Sequence, residues 1–305
     1  VELCEKNANI FLFADDAKLF KRITCPADQV ALQQSCNALS SWSNQWLLPL
    51  NITKCVLLRI GKPNNYPNKN DYYLTLRNIT SKLSVVTSVK DLGVIIDDRL
   101  NFNEHIHTKI NKAYSVLGII KRNFKHMDSY TFAKLYKTMV RSHLEYAESV
   151  WAPSGKGKVD DLEKVQKRAT KMISHCRKMS YRDRLEHLKL PTLTYRRIRG
   201  DMVEVFKILT NKYDKHVTPH LGLSNCTYTR GNALKLATVR PNLDIRKFSF
   251  SVRIVSVWNT LPDSVIASDT INKFKNALDK HWQNEDILYN YKAKLSGTGV
   301  RGLDM

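Results

Sequence analysis

At 305 residues the chain is long enough for two or three packed units, and a hydrophobic share of 43% argues against wholesale disorder. Lys and Arg number 49 against 28 Asp and Glu, a formal net charge of +21; on a foldable chain that excess points to a polyanionic partner. No stretch reaches the roughly 20 apolar residues of a membrane span, and no N-terminal signal pattern is present, so the glycosylation-like triplets at Asn51, Asn78 and Asn225 carry little weight. The charge is concentrated: residues 101–200 hold 22 Lys and Arg against 9 Asp and Glu, interleaved with apolar residues at helical spacing, the pattern of a charged face on packed helices. Six cysteines form no CxxC pair and no ligand cluster. They suit a reducing nucleus or cytoplasm and argue against zinc and secretion.

In chain order, the apolar run Ile10–Ala14 is broken by Asp15-Asp16 and resumes from Ala17 to Phe20, a hairpin signature. A helix follows, with Thr24 as its cap, Pro26 in the first turn and Leu32, Cys36, Leu39, Trp42 and Trp46 on one stripe. Cys55–Ile60 reads as a buried strand, Lys62–Asn70 as a loop, and Tyr72–Leu76 and Leu83–Val86 as short hairpin strands. Leu92–Ile96 reads as a further strand closed by Asp97-Asp98. From His105 the period becomes helical: Ile106, Ile110, Ala113, Leu117, Ile120 and Phe124; then Phe132, Leu135, Met139, His143, Tyr146 and Val150; then Leu162, Val165, Ala169, Met172, Ile173 and Cys176. The third helix carries Lys164, Lys167, Arg168 and Lys171, candidate phosphate contacts. Tyr195–Leu209 continues helically through Arg196, Arg197 and Arg199, and Arg246–Trp258 and Thr270–Trp282 read as two further helices. His105, His143 and His175 occur singly, as packing or surface residues.

Two adjacent carboxylates at a hairpin tip repel each other and favour a divalent cation, and Mg²⁺ takes one or two protein carboxylates plus substrate phosphates. Asp97-Asp98 and Asp160-Asp161 show that the dipeptide alone is cheap. Context distinguishes Asp15-Asp16. Phe-Ala-Asp-Asp-Ala-Lys-Leu at 13–19 resembles the carboxylate motif of reverse transcriptases, in the form found in jockey-like non-LTR retrotransposons. Further resemblances follow in the family's order: Trp46, Leu50, Asn51 and Lys54; Leu92-Gly93-Val94 through Leu100, Phe102 and His105; Leu162–Ala169; Tyr181–Leu185; Arg196-Arg197 to Asp201; and Trp258–Pro262.

The resemblance implies an α+β fold: a truncated polymerase palm over 1–103, a basic helical thumb-like domain over 104–210, and a C-terminal helical region over 211–305. It implies that Asp15 is a metal ligand with Asp16 as its partner, and that Phe13 stands beside the primer end. Lys54 lies near the incoming nucleotide in that frame. The implied cofactor is Mg²⁺, and the implied partners are an RNA template and a DNA primer. The chain opens on Val1, almost directly into a strand, and reads as lacking the fingers and the palm segment with the family's other metal-binding aspartate. The fragment alone is therefore expected not to polymerise, since two-metal chemistry needs ligands on both sides of the ions. For the same reason the strand from Ile10 is expected to expose an edge. Two other functions are compatible with the residues: a non-catalytic remnant that grips an RNA–DNA duplex through its basic helices, and a helical scaffold that binds protein.

Overall fold

Short hairpins dominate the first hundred residues and helices the rest, in a computed structural model that describes residues 7–61, 71–77, 79–224 and 232–297. The chain is thus mixed helix and sheet, as the α+β expectation has it. Asn78, Asn225, Cys4, Cys226 and the loop expected at Lys62–Asn70 lie outside the described residues. Two compact units form, Val1–Asn101 and Phe102–Met305.

In the first unit β1 (Asn9–Phe13) pairs antiparallel with β2 (Asp16–Phe20), Phe13 opposite Asp16. Ala14 and Asp15 make the two-residue turn, with Ala14 left-handed at φ 51°. Phe11 and Phe20 stack diagonally across the pair at 5.5 Å. Among the described residues β1 pairs only with β2, and Phe11, Leu12 and Phe13 are exposed, so the strand presents an edge and an apolar face together.

Helix α1 (Pro26–Gln45) begins on proline, which suits a first turn. Its cap position is Cys25 rather than Thr24. Thr24 contributes differently: its hydroxyl and its N–H donate to Asp28 Oδ2 at 2.7 and 2.8 Å, joined by the Cys25 N–H at 3.1 Å. These donors, the Thr24 hydroxyl foremost, hold the Asp28 carboxyl well below the usual range.

The expected apolar stripe of α1 is only partly used. Cys36 is buried, Leu32 and Trp42 are half-buried, and Trp46 is 62% exposed. A polar stripe carries the packing instead, against β4 (Tyr73–Leu76), which pairs antiparallel with β5 (Ile79–Lys82). The Gln33 amide donates to Tyr73 O at 2.9 Å and accepts from the Tyr73 N–H at 3.0 Å. Ser40 Oγ accepts from the Thr75 N–H at 3.3 Å, and Asn44 Oδ1 from the Arg77 N–H at 3.4 Å. Side chains of the helix thus take the place of a neighbouring strand along the outer edge of β4. The apolar core here is small: Cys36, Tyr72, Leu74 and Leu83, with Leu19, Leu32, Leu50, Cys55 and Leu57 against it.

β3 (Val56–Leu58) pairs in parallel with β6 (Ser84–Val86), and β7 (Ser88–Asp91) pairs antiparallel with β8 (Val94–Asp97). The strand expected from Leu92 begins at Val94. Leu92 and Gly93 are the hairpin turn, both with positive φ (43° and 82°), the pattern whose twist matches flanking strands. Asp97 closes this hairpin by accepting from the N–H groups of Arg99 and Asn101, a turn role as expected.

The second unit is helical. α2 (Asn103–Asn123) buries Ile106, Ile110, Ala113, Val116, Leu117 and Ile120. The next run starts as α3 (Ser129–Leu135), passes through a π turn at Tyr136–Val140 and ends as α4 (Arg141–Glu145). It stops short of the expected end because Ala147 turns left-handed, and Tyr146 and Val150 stay exposed; Glu148–Trp151 forms the separate short α5. α6 (Lys156–Thr170) ends before Ile173 and Cys176, which are buried all the same, Cys176 in a 3₁₀ turn over Ser174–Cys176. α7 (Tyr181–Leu188) and α8 (Leu193–Leu209) follow, each capped by a side-chain oxygen, Ser180 and Thr192 respectively.

The last part shares its core with α8. Phe206 stacks on Phe274 at 4.3 Å, with Trp258 beside them, on α8, α10 (Phe250–Trp258) and α12 (Ile271–His281). Short α9 (Asp244–Lys247) precedes α10, and α11 (Asp263–Ile266) precedes α12. The helix expected over Arg246–Trp258 is split at Phe248 and Ser249. Residues 104–210 and 211–305 therefore lie within one compact unit.

His105 gives this unit a pH dependence. It is fully enclosed in α2 against the Trp151 ring, 5.2 Å between centroids. Burial, with Lys109 adding repulsion, pulls its pKa from 6.5 down to about 4. The unfolded chain binds the proton first as pH falls, so this stability is whole above about 6.5 and drains away towards pH 4. The loss is on the order of 2 kcal/mol. Urea midpoints measured at pH 7 and pH 4.5 should fall further for the native chain than for His105→Phe. Equal falls in both would remove His105 as a cause.

Candidate nucleic-acid interface

The carboxylates at the β1–β2 tip follow from the hairpin register. Asp15 is in the turn and Asp16 is the first residue of β2, directly opposite Phe13, and all three side chains are exposed. Lys18, two residues on, pairs with Asp91 of β7 at 2.6 Å and ties this hairpin to the β7–β8 hairpin. Lys54 closes a 3₁₀ turn over Ile52–Lys54 and is exposed. Among the described residues no third carboxylate, histidine or cysteine joins Asp15 and Asp16 in a cluster. The pair by itself does not make a two-ion site.

On α6 and at its C-cap the four candidate phosphate contacts share one stripe by spacing, three and four residues apart, and separate only by their partners. Lys167 is half-buried, donates to the Tyr291 hydroxyl at 2.8 Å and lies over that ring. Lys164 is exposed and pairs with Asp161 at 2.7 Å. Arg168 and Lys171 instead face α2. There the Arg168 guanidinium lies over the Tyr114 ring at 5.4 Å, an aromatic–cation contact that steadies the side chain.

Together α2, the end of α6 and the turn after it enclose a cleft of about 280 Å³ lined by Tyr114, Leu117, Gly118, Lys121, Arg168, Lys171, Met172 and Arg177. Four of the eight are cationic and none is acidic. Lys121, Arg168, Lys171 and Arg177 are exposed, while Leu117 and Met172 supply an apolar floor. Four cations in one concavity repel each other, and an anion relieves them. The sequence places Lys121 among the basic residues on the outer faces of its helix, not among the phosphate contacts, and does not single out Arg177 and Tyr114. The signal that could have found Lys121 is its place one turn past the buried Leu117, at the edge of the buried stripe of α2; Arg177 lies beyond the helix and has none.

The arginines of α8 do other work. Arg196 holds Glu145 with two hydrogen bonds, and Arg199 holds Asp279 with bonds of 2.5 and 2.7 Å. Asp201 takes a bidentate pair from Arg253 at 2.8 and 2.9 Å. Arg197 is buried among Glu148, Asp201 and Glu163. Burial pushes Glu148 up to about 8, with Arg197 pulling the other way. The segment Arg196–Asp201 is thus internal architecture. So is Trp258–Pro262: the Asn259 amide exchanges two hydrogen bonds with the Leu236 backbone, and Trp258 Nε1 donates to Leu234 O.

Comparison with known proteins agrees with the motif series. Over 225 residues, 70% of the chain, it is 28% identical to the RNA-directed DNA polymerase from mobile element jockey of Drosophila funebris. Over 179 residues, 56% of the chain, it is 24% identical to the probable RNA-directed DNA polymerase from transposon BS of Drosophila melanogaster. This chain is a relative of mobile-element RNA-directed DNA polymerases. The matches span 23% and 19% of those two proteins. An uncharacterized protein of Caenorhabditis elegans is 27% identical over 135 residues, 43% of the chain and 68% of that protein. No family model matches the chain, and no solved structure matches it.

Proposed function

We propose that the chain is part of a non-LTR retrotransposon RNA-directed DNA polymerase. In this reading the first unit is a palm segment presenting Asp15 and Asp16 towards Mg²⁺, with Phe13 beside the primer and Lys54 towards the incoming nucleotide. The second unit is thumb-like and grips the RNA–DNA duplex by its phosphates. The observation that carries the grip is the acid-free cleft of Lys121, Arg168, Lys171 and Arg177. Such contacts position a duplex without reading its sequence, which is what a polymerase thumb must do on any template.

The grip does not require catalysis, so a non-catalytic remnant shares it. Two measurements separate the readings. Affinity for an RNA–DNA hybrid should fall with salt, with a log–log slope of about −3 to −4 for four phosphate contacts, on the order of a hundredfold between 50 and 200 mM. A flat salt response would remove the grip from both readings. In a primer-extension assay with Mg²⁺ the chain alone is expected to add no nucleotide, because among the described residues Asp15 and Asp16 stand without a further clustered ligand. Extension that Asp15→Asn abolishes would overturn that expectation and establish catalysis.

A further inference from the structure

The fold gathers a second set of ligand-type side chains that no sequence spacing announces. His175 and Cys176 sit on the 3₁₀ turn between α6 and α7, and His187 on the last turn of α7. The donor atoms of all three lie within 4.8 Å of one another. His175 Nε2 and His187 Nε2 face each other at 3.2 Å, their rings at 76° with centroids 5.2 Å apart. We propose that His175, Cys176 and His187 bind a zinc-type divalent ion, with water as the fourth ligand.

Chemistry and geometry both support this. Two imidazoles and a thiolate are the ligands that a borderline-soft, tetrahedral ion prefers. Tetrahedral zinc with bonds of about 2.05 Å holds two nitrogens about 3.3 Å apart, close to the separation the fold already provides. Without an ion, one of the two facing nitrogens must carry a proton; with one, both give lone pairs to the metal. Cys176 is fully buried behind them, while His175 and His187 are exposed, so an ion can enter from solvent and find the thiol at the back. The turn is preset: the Cys176 N–H donates to Ile173 O, and the Met179 N–H to Cys176 O, both at 3.1 Å. Arg184 lies near the thiol, but its guanidinium is engaged by Thr170 Oγ1 and Met179 O. Ser129 Oγ, 3.3 Å from His175 Nε2, is placed to hydrogen-bond the metal-bound water. On binding, the Cys176 thiol releases its proton to solvent, and each imidazole coordinates as the neutral ring. The ion would clip the α6–α7 connection to α7, next to the basic cleft residue Arg177.

Metal-free full-length chain titrated with Co²⁺ tests this directly. One equivalent should produce the visible bands of a tetrahedral site together with near-ultraviolet thiolate-to-cobalt absorption, and Zn²⁺ should displace both. His187→Ala, at an exposed position, should keep the helical circular dichroism and lose at least tenfold in Zn²⁺ affinity. Cys176→Ser should lose the thiolate band, and Cys25→Ser should lose nothing. Absence of cobalt bands, or bands that survive His187→Ala and Cys176→Ser unchanged, would overturn the proposal and leave the two histidines as a hydrogen-bonded pair.

Discussion

Asp201→Ala is expected to remove about 3–5 kcal/mol of stability from the helical unit, the cost of breaking a buried ion pair by deleting one partner. The Asp201 side chain is only 7% exposed and that of Arg253 17%. The guanidinium makes a bidentate pair with Asp201 and donates to Phe248 O and Ser149 O, joining α10 to α8 and α5. Deleting the carboxylate strands that charge. It also removes one of the anions around Arg197, whose Nε has no hydrogen-bond partner among the described residues. Burial raises the Asp201 pKa and Arg253 opposes that rise. Asp201→Leu with Arg253→Met should recover most of the loss, because an apolar pair of similar volume is often neutral in such a site. Urea unfolding of the native chain, Asp201→Leu, Arg253→Met and the double variant measures the coupling. A single-mutant loss below about 1 kcal/mol would mean that solvent already screens the pair.

Lys121→Gln, Arg168→Gln, Lys171→Gln and Arg177→Gln, combined, are expected to flatten the salt dependence of hybrid binding by about 3 to 4 in log–log slope. Most of the roughly hundredfold salt effect disappears with them. All four side chains are exposed, so the fold is retained, and unchanged circular dichroism is the control. Lys167→Gln should leave the slope alone, since that ammonium is committed to Tyr291. If Lys167→Gln costs as much slope as the cleft substitutions, the duplex lies elsewhere on α6.

What was legible in the sequence divides by physical cause. α8 and α12 were legible because period and local capping agree with burial there, as with Thr270 accepting from the Lys273 N–H at the start of α12; α2 was legible from its buried stripe alone, and the β1–β2 hairpin from two apolar runs broken by Asp15-Asp16, although its strands stay largely exposed. α1 misled because its apolar stripe is not its main packing face. Gln33, Ser40 and Asn44 answer a strand edge 33 to 40 residues away in sequence, and polar residues carry no periodic signal for that. Leu92 read as strand because leucine rarely turns left-handed; Gly93 beside it was the cue. Of the proposed site, motif and charge in the sequence point to Asp15, Asp16, Arg168 and Lys171. Composition could not say that Lys167 and Arg196–Arg199 are spent on internal partners. That depends on where Tyr291, Glu145 and Asp279 arrive, and so on tertiary structure.

Lysine-modification footprinting of the full chain, with and without an RNA–DNA hybrid, tests the proposed grip most directly. Lys121 and Lys171, on opposite walls of the cleft, should be shielded together by the duplex, and Lys273, exposed on α12 and paired with Asp269, should react equally in both states. Shielding of Lys273 with Lys121 and Lys171 left open would contradict the cleft as the site of the grip.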